Sequence, residues 1–354
     1  MFVVSTSLIV IIIRGLLSAA ATGMIVAWVW LVFRTRSGEP VRLGRLVDIS
    51  PFPPWGSATV LLAFLAYVMV NVGVIGLYQA KVERPGAAAP AIPRSESPQA
   101  AKPDRAPAPS ESSTRHDQAL PRLSNTEQMG MSAVVDLILI VLLPILVRLT
   151  SGARVRDLGA SARYWRAQVG LGLIAGLITI PVVYLIQGLS VRIWTSNEHR
   201  LGTMLREECS QHSMSLALIT AVVLAPAMEE LLFRGLLQRW LIKLFARAVS
   251  ASVAANAPEI TIATPDALAG DESTEQPALV TWTSPAALGI VSTSLVFAAV
   301  HAPQWPAPIP LFVFSVALGV VFQRTGSLIA AATMHAMLNA ISTFVMILLI
   351  LMGG

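Results

Sequence analysis

Cysteine and charge are both scarce in this chain. A single cysteine, Cys209, in 354 residues excludes an internal disulfide and any multi-thiolate metal site. It sits beside Arg206, Glu207 and Glu208 with no evident base to deprotonate it, which argues against a cysteine nucleophile. Charged residues make up 13% of the chain and hydrophobic ones 55%, whereas soluble domains carry roughly 25% charged residues. So much apolar side chain cannot be hidden in a soluble core of this size. The net charge of +5 does not point to nucleic acid. The basic residues fall in short loops between apolar runs, and no aromatic-interleaved basic stripe is present to track a single strand. Internal repeats are missing, as is a helical H-E-x-x-H zinc motif. The N-terminus lacks both a positive leading region and a small-residue cleavage site before polar sequence, so its first apolar run reads as a retained helix.

What the chain does have is long uncharged runs. About 20 apolar residues cross a bilayer as a helix, so the fold class is all-α: a polytopic helical membrane protein of about eight transmembrane helices. The expected spans are 7–33, 58–78, 131–147 (with Asp136 inside), 169–189, 214–233, 286–300, 309–322 and 328–352. The expected domains are two N-terminal transmembrane helices in 1–80, a linker in 81–128 and an intramembrane core in 129–354. The linker is rich in Pro, Ala and Ser and too poor in apolar surface to offset its ordering entropy, which predicts disorder. Residues 251–285 form a polar insert with an acidic patch at Asp271, Glu272 and Glu275.

Orientation follows from the arginines and lysines. Arg34, Arg36, Arg42 and Arg45 fall in the first loop, Arg148, Arg154, Arg156, Arg163 and Arg166 in the third. Arg234, Arg239, Lys243 and Arg247 open the fifth, and Arg324 lies in the seventh. Odd loops are therefore expected on the cytoplasmic side of the cell membrane, with both termini and the linker outside.

Ionisable groups in spans are costly and usually have a task. They gather in three places. Glu229-Glu230-Leu231-Leu232-Phe233-Arg234 closes the fifth expected span, just after Pro226. Glu230 and Arg234 are four apart in the favourable order for a helical ion pair, which leaves Glu229, about 100° round the helix. A carboxylate in a poorly solvated site suits a general base for water. The second place is His301, with Phe297 one turn back on the same face. The third is His335 and Asn339, four apart inside the last span. Each alone has a plain structural reading, as an interfacial ion pair, a satisfied histidine or an interhelical hydrogen bond. Together they make a coherent hydrolytic set. Glu229 and His301 are placed to bind and deprotonate a water, and His335 and Asn339 to donate hydrogen bonds to an oxyanion. The same residues admit a second chemistry, because Glu229, His301 and His335 form a His-His-carboxylate trio of the kind that binds catalytic zinc. The sequence does not choose between a metal-free glutamate mechanism and one that uses zinc as cofactor.

Glu-Glu-x-x-x-Arg, then Phe-x-x-x-His, then His-x-x-x-Asn, in this order and at these depths, resembles the CAAX prenyl protease and bacteriocin-processing family, also called Abi. Leu232-Phe233-Arg234-Gly235, Arg324-Thr325-Gly326-Ser327-Leu328 and, more loosely, Asp157-Leu158-Gly159 fit as well. The resemblance implies a helical intramembrane endopeptidase. The family's eukaryotic members cut the last three residues from prenylated CAAX proteins, and its bacterial relatives are linked to peptide maturation, bacteriocin immunity and surface-protein anchoring. By this likeness Glu229 resembles the water-activating glutamate and His301 its partner. His335 and Asn339 resemble the oxyanion stabilisers, with Glu230 and Arg234 in support. Members are often labelled metalloproteases. The insert at 251–285, the first two spans and the linker depart from the family pattern. The implied partners are the lipid bilayer and a membrane-associated or lipidated peptide. Two rival readings remain open: a non-catalytic immunity or scaffold protein on the same fold, and a transporter, against which the lack of repeats weighs.

Overall fold

A computed structural model describes residues 6–37, 44–82, 124–195, 200–207, 210–255 and 284–352. These residues form helices and connecting turns with no strand among them. Most of the expected linker and of the polar insert lies outside the described residues, as does Cys209. The edges of both segments are helical. Ser124 caps the helix that follows by accepting from the Glu127 amide at 3.2 Å, and its own amide donates to Glu127 Oε2 at 3.0 Å. That reciprocal cap satisfies two orphan donors and starts the helix at Asn125, inside the stretch expected to be linker.

The elements run α1 (Thr6–Arg36), α2 (Ser57–Val82), α3 (Asn125–Ser151), α4 (Trp165–Ile193), α5 (Arg200–Glu207), α6 (Gln211–Leu218), α7 (Ala225–Glu230), α8 (Arg239–Ala255), α9 (Pro285–Val300), α10 (Pro308–Thr325) and α11 (Leu328–Leu351). Seven described helices are long and apolar enough to cross a bilayer. The eighth expected span, α9, has 16 residues, or roughly 24 Å of rise against a hydrocarbon core of about 30 Å. It falls short by itself and lies against its neighbours α8 and α10.

One expectation fails. The sequence placed the end of the fifth span at residue 233 and the next four basic residues in a loop. The chain instead stays helical from α6 through two wide π-helical turns, Ile219–Leu224 and Leu231–Gln238, into α8. The apolar rod covers 42 residues, Gln211–Ser252. Arg234 and Arg239 are buried within it, because each guanidinium finds a carboxylate or carbonyl partner that replaces water. An arginine signals a loop only when nothing in the protein satisfies it.

The core runs through Leu139, Leu143, Ile180, Phe297, Phe314, Phe322 and Met334. Small residues let the helices approach: a side chain at Gly172 would strike Ala330 O and Thr333 on α11, and one at Gly289 would strike Ile242 on α8. The first two helices pack on this core, α1 on α4 and α11, and α2 on α3.

The first, third and seventh loops meet on one face, with the start of α8. The amides of Leu46 and Val47 donate to Thr325 O at 2.8 and 3.0 Å, and that of Leu328 to Gly159 O at 2.9 Å. Arg239 donates to Asp157 O and Ser50 O. Lys243 Nζ donates to Pro53 O and Trp55 O, at 2.7 and 2.9 Å. The buried Trp55 indole donates to Leu236 O at 3.3 Å. Residues 44–56 thus strap the first two helices to the rod.

Candidate active site

The rod carries Glu229 and Glu230 at the end of α7, between its two π-helical turns. Successive residues of a helix point about 100° apart, and the two carboxylates face different nitrogens of one ring, His335. Glu230 is fully buried. Its Oε1 accepts from His335 Nδ1 at 2.8 Å, and its Oε2 lies 3.2 Å from Arg234 Nε. Arg234, also fully buried, donates through Nη2 to Ser315 Oγ at 3.0 Å and Ser315 O at 3.3 Å. Its guanidinium carbon sits 4.9 Å from the centre of the Phe297 ring. A buried cation is tolerated only when paired and hydrogen-bonded, and Arg234 has a carboxylate, a hydroxyl, a carbonyl and an aromatic face. The i, i+4 pairing expected from the sequence is present, and it ties the rod to α10 and α11.

His335 is held edge-on by two rings, Phe297 at 5.8 Å and Phe314 at 5.7 Å. Because a carboxylate only accepts, His335 Nδ1 carries the proton directed at Glu230. The tautomer question is thereby moved to Nε2, which faces Glu229 Oε2 across 3.9 Å. That gap is too long for a direct hydrogen bond and invites a bridging oxygen. Glu229 Oε2 is itself buried and has no hydrogen-bond partner, although 22% of the side chain is exposed. Glu230 Oε2 and Arg234 Nε are likewise buried without a geometrically good hydrogen bond, but they face each other as an ion pair at 3.2 Å, whereas Glu229 Oε2 faces a histidine nitrogen beyond hydrogen-bond reach and is open to a ligand's donor.

His301 follows the last turn of α9. Its Nδ1 donates to Phe297 O at 2.8 Å, and its ring lies 4.9 Å from that of Phe297, the stacking expected from their spacing. Phe297 therefore touches both histidines, and Phe233 besides, at 5.2 Å. Asn339 Nδ2 donates to Ala221 O in the first π-helical turn, at 2.8 Å, which uses one of its two amide hydrogens.

The structure brings together Glu229, Glu230, Arg234, Phe297 and His335, and sets His301 beside Phe297. No group of three or more His, Cys, Asp or Glu among the described residues is arranged to hold a metal ion. The trio Glu229, His301 and His335 is not gathered as a ligand set.

A family model described as type II CAAX prenyl endopeptidase, Rce1-like, matches residues 211–266 and 267–341. Over this region the chain is similar to the Rce1-like family. Searches of curated proteins and of solved structures give no significant match. The Rce1-like region starts with the rod at α6, ends within α11 and includes every candidate site residue. The two matched pieces meet at 266/267, inside the expected polar insert.

Sequence reasoning missed four residues around the site. Phe314 and Ser315 lie within the Rce1-like region, on α10, where a phenylalanine and a serine in an apolar span give no signal. Asp136 and Tyr67 lie outside it. Asp136 on α3 is 7% exposed and within electrostatic reach of Glu229. Tyr67 on α2 is within reach of both. Asp136 was visible as an intramembrane acid, but nothing in the sequence tied it to Glu229.

Proposed function

We propose that this chain is an intramembrane endopeptidase that hydrolyses a peptide bond of a membrane-associated or lipidated substrate. One observation carries the reading: a buried carboxylate oxygen without a hydrogen bond, Glu229 Oε2, opposes His335 Nε2 across 3.9 Å, beside a second glutamate already engaged by His335 Nδ1 and the Arg234 guanidinium. A water in that gap gives its proton to Glu229 as its oxygen bonds the substrate carbonyl carbon. The carbonyl electron pair moves to oxygen. Asn339 stabilises the resulting oxyanion by the amide hydrogen left after its bond to Ala221, and His335, with Nδ1–H held by Glu230, joins it from Nε2 when the ring is in its imidazolium form. When the intermediate collapses the C–N bond breaks, and Glu229 returns its proton to the leaving nitrogen. His301, with Nδ1 committed to Phe297 O, keeps Nε2 to hold the water. Glu230 and Arg234 hold His335 in place.

Supporting the choice of substrate is depth. Glu229 lies ten residues before Arg239 on the rod, roughly 15 Å from the basic face by helical rise. A peptide bond reaches it most readily when an apolar anchor already holds the substrate in the bilayer. The basic face is cytoplasmic in this reading, which puts both termini outside the cell membrane.

The test uses detergent-purified protein with a prenylated peptide ending in a CAAX box and with its unprenylated twin. Wild type should cleave the prenylated peptide, and Glu229→Gln and His301→Ala should not. Cleavage that survives both substitutions overturns the assignment of this site. Loss with a chelator, restored by zinc, would add a metal to the mechanism.

A further inference from the structure

The first π-helical turn contains a defect that the chain repairs from a distance. In this turn the amide of Ala225 donates to Thr220 O, five residues back. The next amide in that register would belong to residue 226 and would donate to Ala221 O. Residue 226 is proline and has no N–H. Ala221 O is left without its register partner in an apolar span, where an unsatisfied carbonyl costs several kcal/mol. Asn339 Nδ2, one helical turn beyond His335 on α11, donates to that carbonyl at 2.8 Å.

We infer that Asn339 is a positioning residue as well as a donor to substrate: its carboxamide replaces the missing Pro226 N–H and so fixes the turn that aims Glu229. Glu229 is the third residue after Pro226, so the wide turn and its proline set where α7 restarts and in which direction its carboxylates point. A bond from α11 to the same turn locks that rotation to the helix carrying His335. The Glu229–His335 gap is thus held at two heights, by Glu230 to His335 and by Ala221 to Asn339. The inference about activity rests on the proposed peptidase function, but the tie itself does not.

The closing experiment separates the two. Asn339→Leu keeps the volume and removes the donor, and Pro226→Ala returns a backbone N–H to Ala221 O. Hydrogen exchange of peptides covering 219–230, read by mass spectrometry, reports the turn whether or not the protein is a peptidase. Asn339→Leu should speed exchange there by tenfold or more, and Pro226→Ala alone should leave exchange and cleavage near wild type. The double variant should recover slow exchange and regain at least tenfold in kcat over Asn339→Leu. Unchanged exchange in Asn339→Leu, or a double variant that exchanges as fast as the single one, overturns the tie. Exchange restored with kcat still lost overturns the positioning role, because Asn339 then acts on substrate alone. An inactive wild type with the expected exchange pattern counts against the peptidase and leaves the tie standing.

Discussion

The two sides of the intramembrane site differ in what their carboxylates face. On the sealed side, Glu230, Arg234, Ser315 and His335 Nδ1 form a network that joins the rod to α10 and α11, closed off by aromatic rings. On the open side, one residue away, Glu229 keeps a buried oxygen with no hydrogen-bond partner and faces the other nitrogen of the same histidine. Neighbouring glutamates with the same intrinsic chemistry have been given opposite situations by a 100° step round a helix. A carboxylate held against a guanidinium orients, whereas one without a close cation is available to accept a proton.

The hardest blow to that contrast falls on the sealed side. Arg234→Met should cost about 3–5 kcal/mol, the usual penalty for stranding one partner of a buried pair, read as a lowered unfolding midpoint in detergent. Adding Glu230→Leu should recover part of that loss, since a stranded charge is worse than an apolar pair. A double variant less stable than the single one would show that Glu230 is held mainly by His335. On the open side, Glu229→Gln should leave the unfolding midpoint in place and cut cleavage by about 10²–10⁴-fold, the range for a general base. Equal losses of stability in Glu229→Gln and Arg234→Met would erase the distinction between the two sides.

Asp136 sharpens the open side. It is the other buried acid within electrostatic reach of Glu229, contributed by a helix outside the Rce1-like region. Asp136→Asn should lower kcat by about tenfold, equal to about 1.4 kcal/mol of barrier, with little change in stability. An unchanged rate would confine the chemistry to residues of the family-matched region.

Helix periodicity and membrane cost were enough to read the helical class, the depth of the ionisable groups and the Glu230–Arg234 pair, because these depend on neighbours along one helix. The rest depends on rotation and depth between helices, which periodicity does not encode. Ser315 is a serine in an apolar run until Arg234 arrives beside it. Asn339 reads as an oxyanion donor, and its bond to Ala221 O in the proline-broken turn shows only when the two helices are side by side. Arg239 and Lys243 read as a loop because their partners, Ser50, Pro53 and Trp55, lie almost two hundred residues earlier. The π-helical turns leave no residue signature apart from Pro226, itself compatible with an ordinary kink.

The smallest expected effect asks how far the sealed side extends. Trp55 is fully buried, its indole donates to Leu236 O at 3.3 Å, and the Arg239 guanidinium lies 5.2 Å from its ring centre. Trp55→Phe keeps an aromatic ring and removes the donor, so it should cost about 1 kcal/mol of stability. Its carbonyl partner lies in the second π-helical turn, two residues beyond Arg234. If the strap only fastens α2 to the rod, the unfolding midpoint falls and kcat stays. If instead the turn transmits the loss to Arg234, kcat falls too, and the Trp55→Phe, Arg234→Met double variant is less damaged than the sum of the singles. Independence is the expected result: Leu236 and Arg234 point to different sides of the rod, and Arg234 has partners of its own on α7, α9 and α10.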